Sequence, residues 1–178
     1  MHPYTITTER LTLRALTVQD AAAVYAWASD PEVNRYMPYP LYHEIEEAER
    51  WIASFGEETS RHLEFGFVRR ADNLMVGAGS VAHRPEGDWE IGYNLRRDCW
   101  RQGYAAEAAR GMIRFAFETF GARDFYGIHA DANPASGAVL RKCGMHPAGE
   151  ETYGRIDGSA LWRGLCYRLH LDEAGQPC

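Results

Sequence analysis

The stretch Trp89-Glu-Ile-Gly-Tyr-Asn-Leu95, followed by Trp100-Arg-Gln-Gly-Tyr-Ala105, decides the fold. The first segment alternates apolar residues with smaller or polar ones, which predicts a strand. The second segment opens a helix, which we expect over residues 103–120 with Gly121 as its left-handed cap. The first turn of a helix leaves amide N–H groups unpaired at the positive end of its dipole. Small residues there admit an anion, so the turn predicts a diphosphate site, unless Gly103 merely eases the turn.

Other glycine patterns in the chain can be compared with this turn. No G-x-x-x-x-G-K sequence occurs, which excludes a P-loop kinase or ATPase. Gly77-Ala-Gly79-Ser-Val-Ala82 matches the dinucleotide fingerprint in its letters, but a predicted strand follows it where that fingerprint requires a helix. The turn at Gly103, with the fixed positive charge of Arg101 beside it, is therefore the better candidate for binding phosphate groups.

The rest of the chain predicts hairpins that lead into a strand-helix-strand-helix-strand unit. We expect strands at 6–16, 63–69, 74–82, 89–95, 125–130, 145–152 and 161–169, and helices at 17–29, 44–58, 103–120 and 134–143. Neither a repeat nor a linker divides this series. The sequence therefore predicts one α/β domain over residues 1–178, with a mixed sheet and helices on both of its faces.

The composition is typical of an ordinary globular domain, with 178 residues, 46% hydrophobic and 25% charged. The formal net charge of -6 argues against nucleic acid as a partner, because proteins that bind a phosphate backbone usually carry a basic face. An acidic balance suits a cationic substrate such as an amine better.

The sequence favours a cytoplasmic protein. Its apolar runs are all shorter than the roughly 20 residues that span a bilayer, and its N-terminus lacks the features of a signal peptide. The histidines show no ligand spacing, and no C-x-x-C pair occurs among the four cysteines, Cys99, Cys143, Cys166 and Cys178. We therefore expect reduced thiols, no metal and no membrane partner.

A second motif lies about thirty residues after the turn, at Asn133-Pro-Ala-Ser-Gly-Ala-Val-Leu-Arg-Lys-Cys-Gly144. Together with Thr8-Glu-Arg-Leu-Thr-Leu-Arg14, Ser29-Asp-Pro-Glu-Val33 and the Trp89–Ala105 stretch, it resembles the GNAT superfamily of acetyl-CoA-dependent N-acetyltransferases, and specifically the RimJ/RimL-like branch. The resemblance covers nearly the whole chain in the right order. Each motif is weak alone, and the four in sequence are strong.

The resemblance implies a mostly antiparallel sheet whose central parallel pair splays apart, with coenzyme A in the gap. The pantetheine arm would pair with strand backbone and the pyrophosphate would rest on the amides of the turn. Asn133 would contact the pantetheine, cap its helix, or do both; Lys142 would lie near the nucleotide or be solvated. The implied acetyl-CoA residues are Tyr93, Asn94, Leu95, Arg101, Gln102, Gly103, Tyr104, Ala105, Asn133, Ser136 and Lys142.

The resemblance also suggests catalytic groups, Glu90 and Ser136. Neutralising a lysine amine at pH 7 costs about 4 to 5 kcal/mol, against about 1 for an α-amine, so a general base has value. Glu90 would act as that base through water, or be an exposed strand residue. The family's usual tyrosine acid is replaced by Leu140, so Ser136 is the candidate acid, unless it only bonds its own helix turn. Tyr93 and Tyr153 are the fallbacks.

The acceptor is the least specified part of the reaction. The first two helices and the last hairpin would form its pocket, with Arg35, Tyr36 and Tyr153 as candidate contacts. The acceptor would be a protein N-terminus or a small amine, and a homodimer stays open. The alternative function is an acyl-CoA-binding regulatory module without turnover, which the missing tyrosine keeps open. Glu107 is expected to brace the structure, and Cys99 and Cys143 to be small buried residues.

Overall fold

One sheet organises the computed structural model, which describes residues 3–57 and 62–178. Its strands are β1 Thr5–Thr7, β2 Leu11–Arg14, β3 His62–Arg69, β4 Met75–His83, β5 Trp89–Leu95, β6 Asp124–Ala130, β7 His146–Gly154 and β8 Leu161–His170. The helices are α1 Ala21–Ala28, α2 Pro31–Asn34, α3 Ile45–Ala53, α4 Tyr104–Phe120 and α5 Pro134–Lys142. The strand order is β1-β2-β3-β4-β5-β6-β8-β7, which confirms the mixed sheet that the sequence predicts.

The parallel pair in the middle of the sheet separates almost as soon as it forms. β5 pairs with β6 only at Trp89↔Phe125 and Glu90↔Tyr126. Beyond Glu90, β5 continues beside β4 as far as Leu95, while β6 stays paired with β8. A gap therefore opens between β5 and β6, toward the carboxyl ends of both strands, and the implied splay is present.

The two faces of the sheet carry separate cores. On one face α4 and α5 pack over alternate strand residues, with Phe65, Phe67 and Met112 fully buried. On the other face α1 and α3 surround a smaller core that includes Trp27 and Ala48. Because side chains alternate along a strand, Trp89, Ile91 and Leu95 of β5 face the α4 core, while Glu90, Gly92 and Asn94 face the α1/α3 side.

Two glycines on β4, Gly77 and Gly79, belong to the segment whose letters match a dinucleotide-binding fingerprint, and they have a structural role in the sheet. A Cβ atom at Gly77 would collide with the Asn94 carbonyl oxygen, and one at Gly79 with the Gly92 carbonyl oxygen. These glycines therefore let β4 and β5 pack closely, in a strand interior and away from any helix start.

The front of the chain differs most from the prediction. The expected strand over 6–16 is wrong as one element, since β1 folds back on β2 with Thr5 opposite Arg14. α1 ends at Ala28 with Ser29 as its C-cap, close to the expected end, but Asp30 then caps α2, which begins directly after it. The second helix spans Ile45–Ala53 and continues as a 3-10 turn over Ser54–Glu57. The last residue of that expected helix, Glu58, lies outside the described residues.

The later elements lie close to their predicted positions. The strand over 89–95 is confirmed, and α4 ends at Gly121, which has φ 66° and the left-handed conformation expected of a cap. In the described part of the chain, none of the helices is both long and apolar enough to cross a membrane.

Candidate functional site

The turn between β5 and α4 has the backbone shape of an anion site. Arg101 has φ 61° and Gly103 φ 85°, so both adopt the left-handed conformation. Gly103 is the N-cap residue of α4, and no side chain caps the helix there. The first-turn amides are therefore available at the positive end of a helix of 17 residues. Such a backbone can hold a diphosphate.

Arg10 lies beside this turn, although the sequence did not single it out. Its Nη1 donates a hydrogen bond of 2.9 Å to the carbonyl oxygen of Gln102. A Cβ atom at Gly103 would lie 3.3 Å from Arg10 Nη2, and the guanidinium carbon lies 4.6 Å from the ring centroid of Tyr104. A second positive charge thus reaches the turn from the β1–β2 connection. Its only sequence signal is its place in the Thr8–Arg14 motif.

Glu107 holds Arg10 in this position. Its Oε2 accepts from Arg10 Nε at 2.7 Å, and its Oε1 accepts from the Arg10 amide at 2.7 Å and from Thr8 Oγ1 at 2.6 Å. A carboxylate in the first turn of α4 would repel a diphosphate, and the ion pair with Arg10 offsets that charge. Glu107 therefore braces the front of the chain against α4.

The other residues expected around the diphosphate differ in how exposed their side chains are. Arg101, Gln102 and Lys142 are exposed. Tyr104 is 7% exposed and Leu95 8%, so both side chains belong to the core and only their backbone can face a ligand. The carbonyl oxygen of Leu95 already accepts a hydrogen bond of 2.9 Å from the indole of Trp100, which fixes the start of the turn.

The gap between β5 and β6 brings two candidate acids together. The hydroxyl of Tyr93 on β5 donates to the backbone oxygen of Ser136 at 2.9 Å and lies 3.1 Å from Ser136 Oγ. Burial raises the pKa of Tyr93 above its usual value, so this hydroxyl keeps its proton. Asn133 Oδ1 accepts from the Ser136 amide at 3.4 Å, which is the expected helix cap and leaves the Asn133 amide nitrogen for other partners.

Glu90 lies where β5 and β6 separate, at the last pair of the parallel ladder. Burial raises the pKa of its carboxyl, because the charged form loses contact with water. Arg84 acts in the opposite direction, and the negative charges of Asp88 and Glu151 add to the rise. Glu90 is half-buried on the α1/α3 side of the sheet, so the exposed-strand interpretation of this residue is wrong. A half-buried carboxylate with a raised pKa is a stronger proton acceptor than an exposed glutamate.

Two of the three residues expected to contact the acceptor, Tyr36 and Tyr153, are joined by a hydrogen bond. Tyr153 donates to the carbonyl oxygen of Tyr36 at 2.8 Å, which joins the hairpin of β7 and β8 to the loop after α2. Burial raises the pKa of Tyr153 to about 12, and the negative charge of Glu90 adds to the rise. Arg35 is exposed, and its Nη2 pairs with Glu32 Oε1 on α2 at 2.6 Å.

The cysteines are placed as structural residues. Cys99 and Cys143 are buried as expected, and so is Cys166. Burial raises the pKa of the Cys143 thiol to about 11, which keeps it from forming a thiolate at neutral pH. Within residues 3–57 and 62–178, no group of three or more histidine, cysteine or acidic side chains is arranged to hold a metal ion.

Comparison with known families and sequences gives a consistent result. A family model described as "Acetyltransferase (GNAT) domain" matches residues 10–146. "Uncharacterized N-acetyltransferase YoaA" of Bacillus subtilis (strain 168) is 32% identical over 149 residues, which cover 80% of this chain and 82% of the relative. "Uncharacterized N-acetyltransferase YnaD" of the same organism is 27% identical over 170 residues, 94% of this chain and 98% of the relative.

Solved structures share the whole architecture. An acetyltransferase of the GNAT family from Bacillus anthracis superposes with a TM-score of 0.82 at 24% identity, over 94% of this chain and 98% of that one. RimL, a ribosomal L7/L12 alpha-N-protein acetyltransferase in complex with coenzyme A, gives a TM-score of 0.81 at 19% identity, over 95% of this chain and 99% of that one. At these identities the likeness establishes the fold.

Proposed function

Since the chain belongs to the GNAT acetyltransferase family and is an acyltransferase enzyme, we propose that it moves an acetyl group from acetyl-CoA directly to a primary amine. The observation that carries the proposal is the splay of β5 from β6 with a glycine-capped helix at its open end. An extended thioester arm fits the gap, and its diphosphate fits the turn. The arm would complete the sheet as an added strand, bonded to backbone that β6 leaves unpaired.

Positive charge around the turn supports the donor assignment. Arg101 and Arg10 flank Gly103, and the ion pair with Glu107 keeps Arg10 in place. The first-turn amides of α4 would bind the pyrophosphate, and Lys142 would lie in solvent near the nucleotide. This part of the site would bind coenzyme A with either a free or an acylated thiol.

Glu90 would be the general base of the transfer. It would take a proton from the acceptor ammonium through a water molecule, and the neutral nitrogen would then attack the thioester carbon. The C–N bond forms first and gives a tetrahedral intermediate, whose collapse breaks the C–S bond. The second proton of the nitrogen would pass through water to the departing sulfur. A backbone amide of β5 near Tyr93 or Asn94 would hold the negative oxygen of the tetrahedral intermediate.

Ser136 and Tyr93 would act on the departing sulfur as a pair. A thiol has a pKa of about 8.5, whereas burial places the pKa of Tyr93 well above its ordinary value. Tyr93 is therefore a poor proton source, and its hydroxyl instead orients Ser136 across the gap. Ser136 Oγ would hydrogen-bond to the thiolate as it leaves.

The same proposal assigns the chain to the RimJ/RimL-like branch and to the cytoplasm. Its acceptor would be a protein N-terminus or a small-molecule amine. The order of the four motifs and the fold shared with RimL support the branch. The acceptor would approach from the α1/α3 side, because α4 and α5 cover the other face of the sheet.

A screen of amines tests this function. The purified protein would be incubated with acetyl-CoA and a panel of small amines and N-terminal peptides, and the release of free thiol would be followed together with the mass of each acceptor. We expect thiol release that depends on the acceptor and matches the acetylated product. Tight binding of coenzyme A without turnover on any acceptor would favour the regulatory acyl-CoA-binding module instead.

A further inference from the structure

The segment from Asn34 to Tyr42, which we call the acceptor strap, lies on the α1/α3 side of the sheet. Asn34 organises it from within and is 1% exposed. Its Nδ2 donates to the carbonyl oxygens of Tyr39 at 3.2 Å and Pro40 at 3.1 Å. A buried amide that bonds two carbonyls of one loop gives that loop a fixed shape.

The strap is fastened to the β7–β8 hairpin at three points. Arg155 Nη2 donates to Asn34 Oδ1 at 2.9 Å, and Tyr153 Oη donates to the carbonyl oxygen of Tyr36 at 2.8 Å. The amide of Ile156 donates to the carbonyl oxygen of Pro38 at 2.8 Å. These three hydrogen bonds join the strap to the hairpin on the side from which the acceptor would approach.

Tyr39 brings the strap down onto the splayed strand. Its hydroxyl accepts a hydrogen bond of 3.3 Å from Asn94 Nδ2, next to the gap between β5 and β6. Burial raises the pKa of Tyr39, and the neighbouring Tyr42, Glu64 and Tyr153 raise it further. Its neutral hydroxyl thus lies among groups from three strands of this face.

Next to the contact of Tyr39 with Asn94, the strand face is partly exposed at Gly92. Gly92 lies between Glu90 and Asn94 on this face, and among the described residues a Cβ atom there would come within 4 Å of Ser80 Oγ alone, at 3.0 Å. Asn94 Oδ1 is buried and has no hydrogen-bond partner within the part of the chain that the structure describes. An amine over Gly92 would donate a hydrogen bond to that oxygen and would lie beside the carboxyl of Glu90.

We propose that the acceptor strap restricts the acceptor to small primary amines, and that the ring of Tyr39 sets the size limit. This inference rests on the proposed acetyl transfer. A compact ammonium would lie over Gly92, beside the hydrogen bond between Tyr39 and Asn94. A peptide N-terminus brings an extended backbone and further side chains, which must pass between the strap and a hairpin that are bonded together. Its entry requires those hydrogen bonds to break, and each carries a free-energy cost.

The test compares the best small amine of the panel with N-terminal peptides. The ratio of their kcat/KM values, each expressed per neutral amine, measures the size preference. We expect the wild-type protein to favour the small amine by at least about tenfold. Tyr39→Ala should reduce the preference for the small amine, because it removes the ring that limits the size of the acceptor. Arg155→Ala should also reduce this preference, because it releases the strap at a point remote from the reacting atoms. Tyr39→Phe keeps the ring and should keep the preference.

Matched controls separate the strap from general effects. Tyr25→Phe removes a hydroxyl that bonds only the carbonyl oxygen of His43 on the outer side of α1, and Arg163→Ala removes an exposed arginine of β8. Both should keep the wild-type ratio. Coenzyme A affinity and thermal melting would confirm that each variant is folded, and Arg155→Ala keeps the test open if Tyr39→Ala does not fold.

Three results would overturn the inference, and they can be told apart. Peptides used as well as or better than small amines would show that the strap does not restrict size. A preference unchanged in both Tyr39→Ala and Arg155→Ala would show that other residues set it. Coenzyme A binding without turnover on any acceptor would overturn the proposed function, and the size inference with it.

Discussion

Glu90 is the residue whose environment says most about the reaction. It lies at the vertex of the splay and on the acceptor side, and burial raises its pKa. A glutamate on an open strand would have neither property. The sequence predicted the residue, since it starts the strand that leads to the turn, but the burial comes from neighbouring strands and could not be predicted from local pattern.

Glu90→Gln should slow turnover and change its pH dependence. The base must be ionised to accept a proton from the acceptor ammonium, so wild-type kcat/KM per protonated amine should rise with pH through a pKa above the usual glutamate range and then level off. The variant should lack this inflection and should be slower by roughly 10²-fold at the pH of the wild-type plateau. Steady-state rates across pH would measure both, with Glu118→Gln, an exposed residue of α4, as the control. An identical profile in variant and wild type would return Glu90 to a structural role.

Ser136→Ala should slow chemistry while leaving coenzyme A affinity unchanged. The loss of one hydrogen bond to the departing sulfur should lower kcat by about tenfold. Single-turnover rates and coenzyme A titration would separate the two effects, with the exposed Ser54→Ala as the control. Wild-type turnover in Ser136→Ala would assign the thiolate contact to Tyr93 or to water.

At the scale of elements, the turn before α4 depends on residues far away in the sequence. The motif letters predicted the glycine, its neighbouring arginine and a bracing role for Glu107, but not that Arg10 and Thr8 are the partners of Glu107. These contacts join positions about a hundred residues apart, so no local period signals them. The same bonds explain why the expected first strand is two strands, since Thr8 and Arg10 turn the chain toward Glu107.

Gly103 allows a direct test of the turn. Its φ of 85° is closed to proline, whose φ is near −65°, so Gly103→Pro should abolish coenzyme A binding. Gly103→Ala should weaken binding by roughly tenfold, because the left-handed conformation costs an L residue about 1–2 kcal/mol and the new methyl would lie 3.3 Å from Arg10 Nη2.

Gly121→Ala is the matched control for that experiment. Gly121 has φ 66° at the other end of α4, and a Cβ atom there would meet nothing within 4 Å. The variant should carry a similar backbone strain and keep wild-type affinity in a calorimetric titration. Retained affinity in Gly103→Pro would remove the turn from the donor site.

At the scale of the whole molecule, the sequence predicted the back half of the chain better than the front. The elements from β5 to β8 follow simple periods with glycine and proline at their ends, whereas the acceptor side is built from loops that tertiary contacts fold. Arg35 illustrates the difference, since local pattern did not indicate its ion pair with Glu32, and its contact with the acceptor stays a prediction. Tyr39 and Asn94 come together across 55 residues, and only the fold brings them into contact.

The same organisation gives the donor and the acceptor different routes to the gap between β5 and β6. The donor would enter from the end of the gap where α4 begins, and the acceptor from the side of α1 and α3. Direct transfer then needs no enzyme nucleophile, in agreement with buried cysteines whose pKa values are raised. One domain over residues 1–178 stays a prediction.

The most direct measurement is the fate of a labelled acetyl group. The protein would be given acetyl-CoA labelled in the acetyl carbon together with the best acceptor of the panel, and both acceptor and protein would be analysed by mass spectrometry during a single turnover. We predict that the acceptor gains one labelled acetyl group on nitrogen as free thiol appears, with no acetylated protein formed on the way. Label that stays on coenzyme A with every amine, or that passes first to a cysteine, would contradict the account.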